Sequence, residues 1–169
     1  MEIIIPKEIT LRLIKQISKH SPLETKGALF AEDLGNDTFK IDEVYLEPKP
    51  GTTTFVKLYI NHEYVTFQKN YHKLRKNNFS KYNYIGDWHS HPLFECFPSS
   101  YDVSEVEKDM KQSNAIFLVQ LILKVLKGKL VGNAFYYTRG LSAKKITLTI
   151  QGHQIKSRLN HKKSRRTIK

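Results

Sequence analysis

Residues 86–92 read Gly-Asp-Trp-His-Ser-His-Pro, and they follow the run 82–85, which has the aromatic and β-branched residues typical of a strand. We therefore predict a strand that continues to His91 and ends at Pro92. Successive side chains of a strand point to opposite faces, so His89 and His91 lie on one face, about 6–7 Å apart along the chain. Both imidazoles can then reach a single metal ion.

The remainder of the chain alternates between strand-like and helix-like patterns. We predict strands over residues 3–5, 24–32, 39–46, 82–91, 115–124, 130–137 and 144–150, and helices over residues 7–19, 61–77 and 101–112. The connection at residues 52–56 is compatible with one more strand. This order predicts a single α/β (α+β) domain in which a mixed β-sheet is flanked by helices.

Length and composition are those of one globular domain without a membrane span. The chain has 169 residues and a formal net charge of +12, and it contains no apolar run of the length, about 18 residues, that a span requires. Acidic residues and Pro6 stand where a signal peptide needs an apolar core, so we expect a cytoplasmic protein. The single cysteine, Cys96, excludes an intrachain disulfide and fits a reducing compartment.

The positive charge is concentrated at the C-terminus. Residues 152–169 contain seven Lys or Arg and no Asp or Glu, so we predict a domain over residues 1–151 followed by a flexible basic tail. Such a tail can attract nucleic acid by electrostatics alone. No aromatic residue is interleaved with these charges to stack on bases, and we therefore do not expect nucleic acid to be the partner.

Ser99 and Asp102 follow the two histidines and allow two interpretations. Two imidazoles and one carboxylate, with a fourth position left for water, are the ligand inventory of a catalytic zinc site. Ser-x-x-Asp before a helical pattern also resembles an N-terminal capping box. The two interpretations are compatible, because a cap fixes the start of the helix and thereby the position of Asp102.

A zinc hydrolase also needs a base that takes and returns a proton. Glu24, Asp87, Glu95 and Glu105 are all candidates, and composition does not choose among them. Asp87 shares a strand face with His89 and could instead support the ligands from behind.

The loop after the histidines contains residues with alternative roles. Cys96 could form a nucleophilic Cys/His pair, but the zinc ligand set leaves it no role, and we expect it to line the pocket or to be a small buried hydrophobe. Phe94 and Phe97 could form an apolar wall for a substrate, although we favour packing in the core or within the loop.

The spacing of these residues resembles a known family. The pattern His-x-His-x7-Ser-x2-Asp is the JAMM motif of the JAB/MPN zinc metalloproteases, and it is matched in full by His89, His91, Ser99 and Asp102. Residues 24–29 read Glu-Thr-Lys-Gly-Ala-Leu and resemble the Glu-x-x-Gly-x-Leu strand that carries the isolated glutamate of that motif.

The resemblance implies a fold with cytidine-deaminase-like layering and a role for each motif residue. His89, His91 and Asp102 would bind Zn²⁺, Glu24 would be the base, and Ser99 would donate a hydrogen bond to the oxyanion. Members of the family hydrolyse the peptide or isopeptide bond after the C-terminus of ubiquitin or a ubiquitin-like protein.

With its Gly-Asp-Trp-His-Ser-His-Pro form and its lack of long insertions, the chain resembles the compact bacterial members of the family. Those members accompany ubiquitin-transfer-like enzymes, including those of antiphage operons. We therefore expect a ubiquitin-like conjugate or precursor as the substrate, E1-like or E2-like partners, and a role in antiviral defence. Three alternatives stay open at this stage: a non-catalytic MPN scaffold, a hydrolase of small amides, and a processing enzyme for thiocarboxylate-carrier precursors.

Overall fold

A computed structural model describes residues 1–140 and 143–152. Its elements are, in chain order, β1 (Glu2–Ile5), α1 (Lys7–His20), β2 (Lys26–Asp33), β3 (Thr38–Val44), α2 (His62–Leu74), β4 (Tyr82–Ser90), α3 (Ser100–Ser113), β5 (Phe117–Leu126), β6 (Lys129–Thr138) and β7 (Lys144–Ile150). All seven predicted strands and all three predicted helices are present, with shifted ends. Residues 52–56 form no strand, and the predicted tail lies outside the described residues beyond Gly152.

The seven strands form one mixed sheet in the order β1-β3-β2-β4-β5-β6-β7, and this sheet closes on itself. Strand β7 makes the closure: residues 144–146 pair antiparallel with β6, and residues 147–150 pair parallel with β1. The prediction of a mixed sheet flanked by helices is confirmed. The closure was not predicted, because it joins the two ends of the described chain.

Alternation of side chains along the strands divides the core between the helices. Helix α1 packs its apolar face, including Leu13, against one face of the sheet, where Trp88 is also fully buried. Helix α2 covers the opposite face at β2, where the rings of Phe30 and Tyr71 lie 4.7 Å apart. Helix α3 covers that same face at β5 and β6 through Val106 and its apolar neighbours. None of the helices in the described ranges is both long and apolar enough to cross a membrane.

Gly86 allows β4, the strand that leads to the two histidines, to pack closely against β5. This residue has a φ of +143°, and a Cβ there would lie 1.9 Å from the carbonyl oxygen of Val119 on β5. Only glycine therefore allows β4 to approach β5 as closely as the parallel register Gly86↔Val119 requires. This approach carries the end of β4 to the N-terminal side of α3, where the site forms.

Candidate active site

His89 lies near the C-terminal end of β4 and His91 directly follows that strand, and both are close to Asp102 at the start of α3. The backbone N–H of His91 donates to the carbonyl of Leu123 at 2.9 Å, so the strand geometry continues one residue past Ser90. The Nε2 atoms of His89 and His91 are 3.1 Å apart, and both residues are buried. The prediction that the two imidazoles share a face is therefore confirmed.

Asp102 reaches the histidines from the first turn of α3. Its Oδ2 accepts hydrogen bonds from the backbone N–H and the hydroxyl of Ser99, at 2.7 and 2.6 Å, and its own N–H donates to the Ser99 hydroxyl at 3.2 Å. The predicted capping box is thus present. Its second carboxylate oxygen, Oδ1, lies 3.3 Å from Nε2 of His89. The cap and the candidate metal site are one arrangement, as their compatibility in the sequence suggested.

The donor atoms of His89, His91 and Asp102 all lie within 4.8 Å of one another. Within residues 1–140 and 143–152, no other group of three or more His, Cys, Asp or Glu residues is arranged in this way. Two imidazole nitrogens and one carboxylate oxygen fit the preferences of Zn²⁺ in a catalytic site. We call these three residues the ligand cluster.

The ring orientations also fit a metal ion. Nδ1 of His91 lies 2.9 Å from the carbonyl oxygen of Glu95, which can only accept, so Nδ1 is the donor of this hydrogen bond and Nε2 is the nitrogen that faces the cluster. His89 also directs Nε2 at the cluster. Its Nδ1 is buried and has no hydrogen-bond partner in the part of the chain that the structure describes.

Glu24 lies two residues before β2 and is the candidate base nearest to the cluster. Its Oε1 is 3.8 Å from Nε2 of His91, and the side chain is buried. Among the described residues, Glu24 and Asp102 are the only ones with a carboxylate within 4.0 Å of a cluster imidazole. Of the other candidates, Asp87 is paired with Lys26 and Glu105 with Lys108, while Glu95 lines the same cleft.

The residue between the two histidines fixes the position of Glu24. Ser90 points to the opposite face, and its N–H donates to the carbonyl of Thr25 at 2.8 Å while its hydroxyl accepts from the N–H of Thr25 at 2.9 Å. The backbone of Glu24 is also held by the connection between β3 and α2. Its N–H donates to the carbonyl of Thr52 at 2.8 Å, and its carbonyl accepts from the N–H of Gly51 at 2.9 Å. Residues separated by 65 positions in sequence are thereby joined beside the cluster.

Burial controls the charges in the site. Burial, followed by the negative charge of Asp102, raises the pKa of Glu24 to about 7, although the Lys26 ammonium opposes this shift. Burial lowers the pKa of His89 to about 4, so that imidazole is neutral near pH 7, the form that binds metals. Burial acts against ionisation of Asp102, but His89 and the hydrogen bonds from Ser99 outweigh it and hold the pKa of Asp102 below its usual value.

A cleft lined by Glu24 and by two of the cluster residues, His91 and Asp102, has a volume of about 400 Å³, and His89 is buried. Aromatic side chains line it: Phe55, Tyr101, Phe94 and Phe97. Phe94 and Phe97 are 48% and 55% exposed, so neither is a core residue, although the ring of Phe97 lies 5.9 Å from that of Phe135. A larger cavity, of about 810 Å³, lies between α3 and β6, but it contains none of the cluster residues.

Sequence analysis missed Phe55 as a cleft residue. It lies in the connection between β3 and α2, which has no regular secondary structure, and its ring lies 4.8 Å from that of Tyr101. No local pattern marks such a long-range contact. Cys96, by contrast, is 4% exposed and packs against α3, as one of its two expected placements required. Burial raises the pKa of its thiol, which disfavours the reactive thiolate.

Comparison with known proteins adds a family and a set of relatives. A family model described as prokaryotic homologs of the JAB domain matches residues 6–136. A curated relative from Dictyostelium discoideum, the 26S proteasome non-ATPase regulatory subunit 14, is 29% identical over 152 residues, which are 89% of this chain and 46% of the relative. The ubiquitin carboxyl-terminal hydrolase RPN11 of Saccharomyces cerevisiae is 29% identical over 127 residues, which are 74% of this chain and 40% of the relative. The chain thus spans less than half the length of these curated relatives.

A solved structure supports the fold at lower sequence identity. The solution structure of a protein from Desulfitobacterium hafniense aligns with a TM-score of 0.57 and 18% identity, covering 88% of this chain and 92% of that one. At this identity the likeness concerns the fold alone.

Proposed function

The chain belongs to the family of prokaryotic homologues of the JAB domain, and on that premise we propose that it is a zinc-dependent isopeptidase or peptidase. Its substrate would be a conjugate or a precursor of a ubiquitin-like protein, and it would hydrolyse the bond that follows the C-terminus of that protein. The observation that carries this proposal is the position of the Glu24 carboxylate, 3.8 Å from His91 in a cluster of two imidazoles and a carboxylate.

His89, His91 and Asp102 would hold the zinc ion through two nitrogens and one oxygen. When bound, zinc supplies a Lewis acid that polarises the scissile carbonyl and makes a water molecule more acidic. The hydrogen bond from Nδ1 of His91 to Glu95 supports this assignment, because it keeps the ring turned towards the cluster.

Glu24 would act as the general base and then as the general acid. Its carboxylate would take a proton from the attacking water and pass it to the leaving amine. Ser99 would donate its hydroxyl hydrogen to the oxygen of the tetrahedral intermediate. That hydroxyl is directed at Asp102 in the structure, so this role requires it to turn towards the substrate.

The substrate class is supported by the relatives and by the cleft. The yeast relative is named a ubiquitin carboxyl-terminal hydrolase. The aromatic side chains of the cleft could bind an extended polypeptide tail that leads to the cluster. E1-like or E2-like partners and a role in antiviral defence are the wider setting that we propose for a compact prokaryotic member.

The proposal is tested with the purified chain and two kinds of substrate. One is ubiquitin carrying a fluorogenic amine on its C-terminus, and the other is ubiquitin joined through its C-terminus to the lysine side chain of a second protein. We expect cleavage that a zinc chelator abolishes and added Zn²⁺ restores.

The His89→Ala variant should lose both zinc and cleavage, because one of three protein ligands is gone. His62→Ala, on the exposed start of α2, is the matched control and should lose neither. A chain that is loaded with zinc yet cleaves no such conjugate would contradict the proposal, as would cleavage that survives the chelator.

A further inference from the structure

A buried ion pair lies beside the ligand cluster, between the first residue of β2 and the residue two positions before His89 on β4. Nζ of Lys26 is 2.8 Å from Oδ2 of Asp87, and the two side chains are only 8% and 4% exposed. Lys26 is the first residue of β2 and is opposite His89 in the register, whereas Asp87 is opposite Ala28. The pair therefore joins β2 and β4 diagonally, at the end of each strand that faces the site.

Fold stability does not account for such a pair. Two charges removed from water lose hydration free energy that their mutual attraction only partly returns, and replacement of a buried pair by apolar residues of similar volume is often neutral or stabilising. We therefore attribute the role of the pair to the relative position of β2 and β4 that it fixes.

Asp87 links the pair to two further strands. Its Oδ1 accepts a hydrogen bond from Nε2 of Gln120 on β5 at 3.3 Å, and Oε1 of Gln120 accepts from the hydroxyl of Tyr137 on β6 at 3.0 Å. Gln120 and Tyr137 are also buried. Directional bonds thus connect β2, β4, β5 and β6 in a single chain of contacts.

This network shares a sheet face with the site and lies one residue layer deeper. Glu24 precedes Lys26 by two positions, and His89 follows Asp87 by two positions. Because side chains at i and i+2 of an extended chain point to the same face, a shift of Lys26 or Asp87 moves the backbone that carries Glu24 or His89. The ion pair consequently connects the two halves of the site, which are far apart in sequence.

We propose that the Lys26–Asp87 ion pair is a positioning element that holds in place the backbone of both halves of the site, His89 of the ligand cluster and the neighbouring Glu24. The proposal rests on the proposed function for the roles of Glu24 and of the cluster. Neither Lys26 nor Asp87 contacts the substrate; both act through the strands that they join.

The test compares two double variants that each remove an ion pair. Lys26→Met/Asp87→Leu removes both charges of the buried pair together. Arg75→Met/Asp42→Leu removes the pair between β3 and the residue after α2, whose atoms are 2.7 Å apart and which lies outside the cleft. The readouts are the Zn²⁺ dissociation constant, the visible absorption spectrum of the Co²⁺-loaded protein, and the thermal midpoint.

We expect the Lys26→Met/Asp87→Leu variant to fold, to bind Zn²⁺ about 10- to 100-fold more weakly, and to show an altered Co²⁺ spectrum. With a cleavable conjugate, kcat should fall while KM stays the same, because the cleft walls are untouched. The Arg75→Met/Asp42→Leu control should keep the wild-type Zn²⁺ affinity and Co²⁺ spectrum, whatever its thermal midpoint.

An unchanged Zn²⁺ affinity and Co²⁺ spectrum in a folded Lys26→Met/Asp87→Leu variant would overturn the proposal. If that variant does not fold, Asp87→Asn decides the question, because it has nearly the same shape but replaces one of the two accepting oxygens, which face Lys26 and Gln120, with an N–H donor. It should weaken Zn²⁺ binding by less than the double variant is expected to, and no change at all would again overturn the proposal. The metal readouts need no turnover, so wild-type protein that binds zinc but cleaves nothing would refute the proposed function alone.

Discussion

Ser99 combines a structural and a proposed catalytic role in one hydroxyl group. As the N-cap of α3 it accepts from the N–H of Asp102, and it also donates to the carboxylate that belongs to the ligand cluster. A side chain so placed orients a proposed metal ligand before any substrate is present. The two roles can be separated by experiment, because loss of the cap lowers the free energy of unfolding, whereas loss of the oxyanion donor lowers kcat.

For Ser99→Ala we predict a large loss of kcat and a modest loss of stability. Loss of an oxyanion donor lowers kcat by about 10²- to 10³-fold, whereas loss of an N-cap costs about 1 kcal/mol of unfolding free energy. Steady-state kinetics and urea denaturation measure the two effects. Ser99→Thr retains the hydroxyl and should be mild in both respects. If Ser99→Ala lost only stability, Ser99 would be a cap and nothing more.

The residues of the site differed in how visible they were in the sequence. His89, His91 and Asp102 lie within one short segment, so their spacing alone suggested a metal site. Glu24 could be distinguished from Asp87, Glu95 and Glu105 only through the family resemblance, because the hydrogen bonds between Thr25 and Ser90 that bring it close are long-range.

At the scale of elements, the connection between β3 and α2 completes the cleft without forming regular structure. It contributes Phe55, which packs against Tyr101 of α3 beside the cluster. The sequence pattern of residues 52–56 is compatible with a strand, but the structure forms no strand there. A run of threonines before Phe55 has strand propensity, but its backbone instead turns, with the N–H of Thr52 donating to the carbonyl of Phe55.

For Phe55→Ala we predict a higher KM with little change in kcat. The ring forms part of a cleft wall and touches none of the reacting groups, so its loss removes binding energy that ground state and transition state share. Steady-state kinetics on a ubiquitin-like conjugate measure both constants. Tyr59→Ala, in the same connection but outside the cleft, is the matched control and should leave KM unchanged. A fall in kcat at constant KM would instead place Phe55 in the catalytic step.

Element type was easier to predict than element pairing. Helix α2 begins after its expected cap, Asn61, whose side chain accepts from the N–H of Tyr64, because this signal is local. The parallel pairing of β1 with β7 has no local signal, since residues 2–5 and 147–150 are brought together only by the complete fold. Sequence patterns therefore predicted the mixed sheet but not its closure.

At the scale of the whole molecule, the sheet closes just before the basic segment begins. The N–H of Gln151 donates to the carbonyl of Ile5 at 2.9 Å, directly after the pairing of β7 with β1. The division into a domain over residues 1–151 and a basic tail over residues 152–169 is our proposal, and the pairing of β7 with β1 up to Ile150 supports it.

For a chain that ends at Gly152 we predict an unchanged thermal midpoint and unchanged Zn²⁺ binding. The strand pairings within residues 1–140 and 143–152 and all three cluster residues lie in the retained part, so we expect the truncation to remove charge without removing packing. Thermal denaturation and a Zn²⁺ titration of both chains provide the comparison. A clear drop in the thermal midpoint would show that residues 153–169 contribute to the fold and would refute the proposed boundary.

The central claim is that Glu24 moves the proton in a zinc-dependent cleavage, and Glu24→Gln tests it most directly. The measurement is zinc content and cleavage rate on the same protein samples, wild type and variant side by side. We predict about one zinc per chain in both proteins, since Glu24 is not among the three cluster ligands, and a cleavage rate about 10²- to 10⁴-fold lower in the variant. A variant that cleaves at the wild-type rate would contradict the account, and so would a variant whose loss of activity is explained by loss of zinc.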